Sequence, residues 1–176
     1  DWGGLVHFNV VHGEIYRLIS SMFIHFNFEH ILMNMLSLFI FGKLVEAIAG
    51  HWKMLGIYFI SGIFGNIVSL ALDTNSISVG ASGAIFGLIG SLFAIMYLSK
   101  QYTPKMLLQL VGVLALLTVF SLFMANVNIY AHLGGFIGGL LATFIGYYFN
   151  KDRKLFWILL GVGILLLIIL LIRTFT

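Results

Sequence analysis

The chain has 176 residues, of which 61% are hydrophobic and 9% are charged, with a formal net charge of +3. A soluble domain has about 45–50% apolar and about 25% charged residues, so this chain has too few polar groups to cover a water-exposed surface. The composition therefore excludes a soluble enzyme, a nucleic-acid-binding domain and a disordered segment, and indicates a membrane protein. The chain has no cysteine, which also excludes disulfides, thiolate metal sites and a cysteine nucleophile.

Residues 1–28 precede the first long apolar run. Aromatic and polar residues alternate here, a pattern typical of a segment in the membrane interface. Glu14 and Arg17 are three residues apart and would pair if this stretch is helical. We expect an outer interfacial loop segment that leads into the first span, with a structured loop serving a site as the alternative. The chain starts at Asp1 without a signal-peptide pattern, so we expect a fragment of a longer protein.

Six apolar runs are long enough for membrane-spanning helices, each of which needs about 20 residues. They lie approximately at 29–49, 54–72, 82–99, 106–124, 131–149 and 155–173. The polar breaks between them are short, so neighbouring spans must run antiparallel. The sequence therefore predicts an all-α polytopic membrane protein, with a bundle of six transmembrane helices over residues 29–173.

The basic residues predict how the bundle is oriented. Seven of them flank or fill the first, third and fifth return loops: Lys43, Lys53, Lys100, Lys105, Lys151, Arg153 and Lys154. On the other side the sequence has only Arg17 and Arg173. Because basic loops stay in the cytoplasm, residues 1–28 and the loops at 73–79 and 125–130 are predicted to face outside.

Strongly polar residues inside spans are costly, and each is a candidate functional residue. His30 and Asn34 lie on one face at the start of the first span, Ser82 begins the third, and His132 begins the fifth. The predicted topology brings all of these to the same depth on the outer side. Each has a structural alternative, since a lone serine commonly bonds its own backbone and a lone interfacial histidine serves as an anchor.

Small residues recur at helical spacing on the third and fifth spans, at Gly83, Gly87 and Gly90 and at Gly135, Gly139, Ala142 and Gly146. Such stripes let two backbones approach closely, which would bring Ser82 within hydrogen-bond distance of His132. A serine beside a histidine is a nucleophile with its general base, and no acidic third member is evident. We therefore predict a dyad, with His30, Asn34 and the Ser82 backbone amide as donors to an oxyanion.

Four blocks of sequence carry a family resemblance: GEIYR at 13–17, HFNFEHILMN at 25–34, GASG at 80–83 and AHLGGFIGG at 131–139. In this order they resemble the rhomboid family of intramembrane serine proteases. The resemblance implies the same roles for Ser82, His132, His30 and Asn34. It also implies supporting roles for other residues of the blocks: His25, Gly80, Gly83, Arg17, Gly135 and Gly139.

The resemblance has departures and further implications. The helix that precedes the long first loop in the family is not found here, and Tyr16 stands where the family usually has Trp. The sixth span resembles the extra C-terminal helix of the seven-helix forms, and Glu46 matches a structural glutamate. For substrate access, the family implies a gate between the first and fourth spans, capped by the 125–130 loop.

The function predicted is cleavage of transmembrane segments of membrane proteins near the outer face, from a multi-pass position in a bacterial plasma membrane. The alternatives are a rhomboid-like protein that only binds membrane clients and a small transporter. A transporter would place polar residues through the full depth of the membrane. No metal is expected, because the histidines lack ligand spacing and accompanying carboxylates. No cofactor is expected either, and the nine basic residues are too scattered for a nucleic-acid partner.

Overall fold

The computed structural model describes residues 3–100, 102–123 and 127–175. It begins with a short strand β1 (Leu5–Val6), two short helices and a 3₁₀ turn (Ser21–Phe23), followed by six long helices and one further strand, β2 (Ile77–Ser78). The helices are α1 (His7–Val11), α2 (Arg17–Ser20), α3 (Phe28–Ala49), α4 (His51–Leu72), α5 (Ser82–Ser99), α6 (Pro104–Phe123), α7 (Ile129–Lys151) and α8 (Arg153–Phe175).

The long helices α3 to α8 match the six apolar runs to within a few residues at each end. Five of them, α3, α4, α5, α7 and α8, are long and apolar enough to cross a membrane. The remaining one, α6, is also apolar, over the stretch Pro104–Val119 whose side chains are described. The all-α membrane bundle predicted from composition is confirmed, and the protein is a multi-pass integral membrane protein.

Side-chain caps and special backbone angles explain where these helices start and stop. Asn27 precedes α3 and accepts a hydrogen bond from the His30 amide at 2.8 Å, and Asn128 caps α7 by accepting from the Ala131 amide at 3.1 Å. Gly50 has a φ of +91°, which lets the chain turn directly from α3 into α4. Both asparagines satisfy amides that would otherwise lack partners at a helix start.

The helices α4, α5 and α7 form the tightly packed centre of the bundle. A β-carbon added to Gly135 would overlap the Gly83 carbonyl oxygen, and one added to Gly139 would overlap the Gly87 carbonyl oxygen. On the α4 side, a β-carbon on Gly65 would lie 2.5 Å from the Ala131 carbonyl oxygen. The three helices are therefore in backbone contact, which only glycine allows.

Large apolar side chains fill the space beside this glycine contact. The main cluster is built around Val45 of α3 and Leu88 and Ile89 of α5, which are all fully buried. The α6 side chains Leu110 and Leu114 pack against its edge and stay partly exposed. We call the end of the bundle where α3, α5 and α7 begin the upper end, and the end where they finish the lower end.

The segment before α3 is folded against the upper end. Its strand β1 pairs antiparallel with β2, so that Leu5 lies opposite Ser78. Leu5 is 1% exposed and Arg17 is 4% exposed, which favours the structured-loop alternative over a simple interfacial lead-in. Aromatic side chains still cover its outside, as expected for an interfacial position. The two-residue strands were not predicted, because strands so short leave no alternating pattern in the sequence.

The last helix is attached at the same upper end. The Arg173 Nε donates a hydrogen bond of 2.8 Å to the Ala71 carbonyl at the end of α4. The Thr174 carbonyl lies 3.0 Å from the His7 Nε2. Arg17 and Arg173 thus share one end of the bundle, as their position in the sequence predicts. These contacts fix α8 against α4 and the initial segment.

The backbone contact between α5 and α7 makes a testable prediction. We expect Gly139→Ala to lower the stability of the protein by about 1–3 kcal/mol, because its methyl group has no space beside the Gly87 carbonyl. Thermal unfolding of the detergent-solubilised protein measures this change. The control is Gly161→Ala on α8, where an added β-carbon meets nothing within 4 Å. Equal unfolding temperatures for the two variants would contradict the packing described here.

Candidate active site

A serine and a histidine side chain meet where α5 and α7 begin. Ser82 is the first residue of α5, and His132 lies in the first turn of α7. The His132 Nε2 is 2.8 Å from the Ser82 Oγ, and the histidine is 3% exposed. The two helices that were expected to meet do so at the predicted end.

The orientation of His132 is set by an aromatic neighbour. The Phe86 ring stacks on the imidazole at a centroid distance of 4.2 Å and an interplanar angle of 8°. Phe86 lies one turn after Ser82 on the same face of α5, so one helix supplies both the hydroxyl and the ring that faces the imidazole. Sequence reasoning missed Phe86, although its four-residue spacing from Ser82 was a usable signal.

The second ring nitrogen of His132 lies on the side of the ring away from Ser82. Among the described residues, no protein group hydrogen-bonds its buried Nδ1. For the Ser82 hydroxyl to donate to Nε2, the imidazole must carry its proton on Nδ1. In the described part of the chain the arrangement is therefore a serine–histidine pair, and its action as a catalytic dyad stays a prediction.

The other two predicted residues lie on α3 and face the same place. The Asn34 Nδ2 donates to the His30 carbonyl at 2.8 Å, and its Oδ1 is buried without a hydrogen-bond partner in the described part of the chain. Gly80 has a φ of +116°, and a β-carbon there would lie 2.8 Å from the His30 ring. Glycine thus lets the turn before Ser82 pass directly against His30.

A pocket of about 70 Å³ collects these groups, and α3, α5, α6 and α7 contribute to its wall. Its lining includes His30, Asn34, Ser82, Phe86 and His132. A second cavity of about 140 Å³ reaches Ser82 from the side of the β2–α5 turn, and its lining includes Asn66, Ser78 and Asn128. A water molecule occupies about 30 Å³ in the liquid, so the more polar cavity has room for several.

The predicted supporting residues have distinct places. The rings of His25 and His30 meet edge to face at 5.1 Å. Burial lowers the pKa of the His25 imidazole. Gly83, Gly135 and Gly139 lie in the contact between α5 and α7. Glu46 lies near the lower end, where it pairs with His51 at 2.8 Å.

Arg17 stabilises the initial segment and does not line either cavity. Its Nε donates to Glu14 at 2.7 Å, and its buried NH1 donates to the Gly4 carbonyl at 2.7 Å. Glu14 also accepts hydrogen bonds from Asn9 and Tyr16. The predicted ion pair is therefore present, and Arg17 links the strand β1 to helix α2.

Polar residues that the sequence reasoning overlooked connect the site to the bundle. The Asn66 Nδ2 donates to the Leu18 carbonyl at 2.8 Å and to the Ser21 hydroxyl at 3.0 Å. The Asn128 Nδ2 donates to the hydroxyls of Ser69 and Ser76. An asparagine within an apolar span and one just before a span are both sequence signals for such contacts.

Polar residues also lie deeper than expected. The Thr143 hydroxyl donates to Ser91 at 2.8 Å in the lower half of α5 and α7. The two hydroxyls hydrogen-bond to each other inside the contact between α5 and α7. They therefore give no evidence of the continuous polar path that a transporter requires. In the described ranges, no group of three His, Asp or Glu side chains could hold a metal ion. Residues 125 and 126 of the predicted gate loop at 125–130 lie outside the described residues.

A known protein family matches most of the chain. Residues 12–149 match the family model described as the Rhomboid domain, which is most of the chain. The chain belongs to the rhomboid family. The match contains the four site residues from α3, α5 and α7, whereas α8 lies outside it.

Several relatives are similar over most of this rhomboid chain. "Putative rhomboid protease YdcA" of Bacillus subtilis is 36% identical over 77% of the chain and 69% of its own length. RHOMBOID-like protein 5 of Arabidopsis thaliana is 36% identical over 81% of the chain, and Rhomboid-like protease 1 of Toxoplasma gondii is 35% identical over 84%. The matches cover 48% and 54% of those two longer relatives. These names support a protease at the level of the family.

The hydrogen bonds to Glu14 predict a pH dependence of stability. Donation from Asn9, Arg17 and Tyr16 lowers the pKa of Glu14 from 4.5 to about 2. A carboxylate with a lowered pKa stabilises the folded state above its unfolded pKa, and this contribution is lost as the pH falls through the folded value. We expect Glu14→Gln to unfold at a lower temperature than the wild type at pH 7, with the difference shrinking from pH 4.5 towards pH 2.

Thermal unfolding of both proteins across this pH range measures the effect. The control is Glu29→Gln, which removes an exposed carboxylate from the first turn of α3 and leaves the Glu14 network intact. A difference between Glu14→Gln and wild type that stays constant down to pH 2 would contradict this assignment.

Proposed function

We propose that the protein is an intramembrane serine endopeptidase that cleaves transmembrane segments of other membrane proteins. The observation that carries the proposal is the 2.8 Å contact between Ser82 Oγ and His132 Nε2 at the edge of a pocket that also holds Asn34 and His30. Family membership and the names of the relatives support the reaction class.

The geometry suggests how each group acts. Ser82 transfers its hydroxyl proton to His132 and attacks the scissile carbonyl, which forms an acyl-enzyme after His132 returns the proton to the leaving amine. Water from the polar cavity beside Asn66 and Asn128 then attacks the acyl group, with His132 again as the base. The second hydrogen of the Asn34 Nδ2, the His30 ring and the backbone amide of Ser82 at the start of α5 donate to the oxyanion.

The position of the pocket supports a membrane-embedded substrate. Met33 and Ser37 of α3 form one wall, and Leu117 of α6 lies in the wall as well. A segment entering from the bilayer between α3 and α6 would therefore reach Ser82 directly. Its scissile amide must leave helical geometry to be attacked, because the hydrogen bonds of a helix shield it. Segments with small or helix-breaking residues at this depth satisfy that requirement.

The charge distribution supports an active site that opens to the extracytoplasmic side. The seven basic residues of the first, third and fifth return loops belong to the lower end, and Ser82 and His132 lie at the upper end. By the positive-inside rule the lower end faces the cytoplasm. The proposed localisation is a bacterial plasma membrane, in keeping with the Bacillus relative.

The decisive test is the reactivity of Ser82. We expect the wild type to react with a fluorophosphonate probe and to cleave a reconstituted single-pass substrate, and Ser82→Ala to do neither. His132→Ala should also lose both activities, because the hydroxyl then lacks its base. Ser99→Ala, at the exposed lower end of α5, is the matched control and should keep wild-type rates. Cleavage by a folded Ser82→Ala protein at the wild-type rate would overturn the proposed mechanism.

The role of Asn34 makes a separate prediction. We expect Asn34→Ala to lower kcat by about 100- to 1000-fold with a much smaller change in KM, because an oxyanion donor acts mainly in the transition state. Steady-state cleavage of the same substrate measures this split. The control is Ser37→Ala, which changes another polar side chain on the α3 wall of the pocket. Because it alters the pocket without removing the proposed oxyanion donor, it should keep a kcat close to that of the wild type. An increase in KM at constant kcat would instead assign Asn34 to substrate binding.

A further inference from the structure

A large cavity lies at the lower end of the bundle, far along α5 and α7 from the catalytic pair. Its volume is about 400 Å³, and it opens between the ends of α3, α5 and α7 and the start of α4. The lining is largely apolar: Ile48, Ala49, Gly56, Ile57, Ile60, Ile95, Leu98, Ala142 and Gly146, with Lys53, Ser99, Thr143 and Tyr147 as its polar members. The proposed peptidase mechanism makes no use of it.

The packing of the glycines explains why the cavity exists. At the upper end and middle of the bundle, glycines on α4, α5 and α7 hold the three backbones in contact. Lower down, a β-carbon added to Gly56 on α4 or to Gly146 on α7 would meet nothing within 4 Å. The two glycines thus face open space instead of a neighbouring helix.

The chemistry of the wall indicates what fills this space. An apolar cavity does not hold water well, and an empty one loses packing contacts with its lining. The cavity is formed by helices that cross a membrane, and Ile48 and Ile60 of its wall are 60% and 56% exposed on the bundle surface. Hydrocarbon from the bilayer can therefore reach it from the side.

The charges at the mouth indicate the head group. Lys53 lines the cavity, and Lys151 contacts Tyr147 of the opposite wall through its ring and hydroxyl. The lower end has seven basic residues and two acidic ones, Glu46 and Asp152. Glu46 pairs with His51, and Asp152 accepts a hydrogen bond from the Leu155 amide. A phosphate at the mouth would therefore meet an excess of positive charge.

We propose that this cavity is a binding site for an anionic phospholipid, which inserts an acyl chain between α4, α5 and α7 and places its phosphate beside Lys53. The site is separate from the catalytic pocket, so the proposal does not depend on the proposed peptidase function. By filling the space left open at Gly56 and Gly146, the bound lipid stabilises the lower end of the bundle.

The test compares how two lipids with identical acyl chains bind to the full-length protein in a neutral detergent. Native mass spectrometry measures bound phosphatidylglycerol and phosphatidylcholine, and thermal unfolding measures the stabilisation that each gives. We expect the wild type to bind phosphatidylglycerol at least about fivefold more tightly than phosphatidylcholine. Lys53→Gln should bind phosphatidylglycerol about fivefold more weakly than the wild type does. Lys105→Gln, an exposed lysine at the start of α6 at the same end, is the charge control and should bind like the wild type.

A second pair of variants tests the acyl chain position. We expect Gly146→Leu to weaken the binding of both lipids, because its side chain occupies the cavity, whereas Gly161→Leu on α8 should not. Equal affinity of the wild type for the two lipids, or equal effects of Lys53→Gln and Lys105→Gln, would overturn the proposal. A change of oligomeric state in Gly146→Leu with unchanged lipid binding would also overturn it, since the cavity would then be a protein contact.

Discussion

The backbone contact between α5 and α7 is the constraint on which the rest of the structure depends. Gly83 and Gly87 present their carbonyl oxygens directly to Gly135 and Gly139, with no side chain between the helices. Ser82 and His132 are near the beginnings of these two helices, so the separation of the helix axes fixes the distance between the hydroxyl and the imidazole. A hydrogen bond of 2.8 Å is therefore a property of the helix packing as much as of the two side chains.

The same end of the bundle concentrates the polar contacts that a membrane makes costly. Asn66 and Asn128 satisfy backbone and hydroxyl groups of the segments around the site, and both also line the cavity beside Ser82. Because lipid offers no hydrogen bonds, these groups must be satisfied by protein or by water admitted from the membrane surface. The groups that hold the initial segment in place thus also form a route by which water can reach the serine.

Most of the fold and the principal pair were predictable from the sequence. The six apolar runs gave the helices, and the glycine spacing predicted that α5 and α7 meet at Ser82 and His132. The strands β1 and β2 were not predicted, because two-residue pairing leaves no alternating pattern. Phe86 was missed although it lies one helical turn after Ser82, because an aromatic residue at that spacing does not by itself show which ring it stacks on. The folded state of residues 3–27 was also underestimated, since the burial of Arg17 depends on contacts with Gly4 and Glu14 that composition does not reveal.

The glycine contact also has a geometric consequence at the opposite end. Helices that cross at an angle pack closely over a limited length and separate beyond it. In a soluble protein large side chains would fill such a gap, yet here Gly56 and Gly146 leave it open. In a bilayer the surrounding lipid can supply the missing volume, so glycines at the wide end cost less than they would in water. The contact of Ser82 with His132 at the upper end and the apolar cavity at the lower end thus both follow from how the glycines of these three helices are placed.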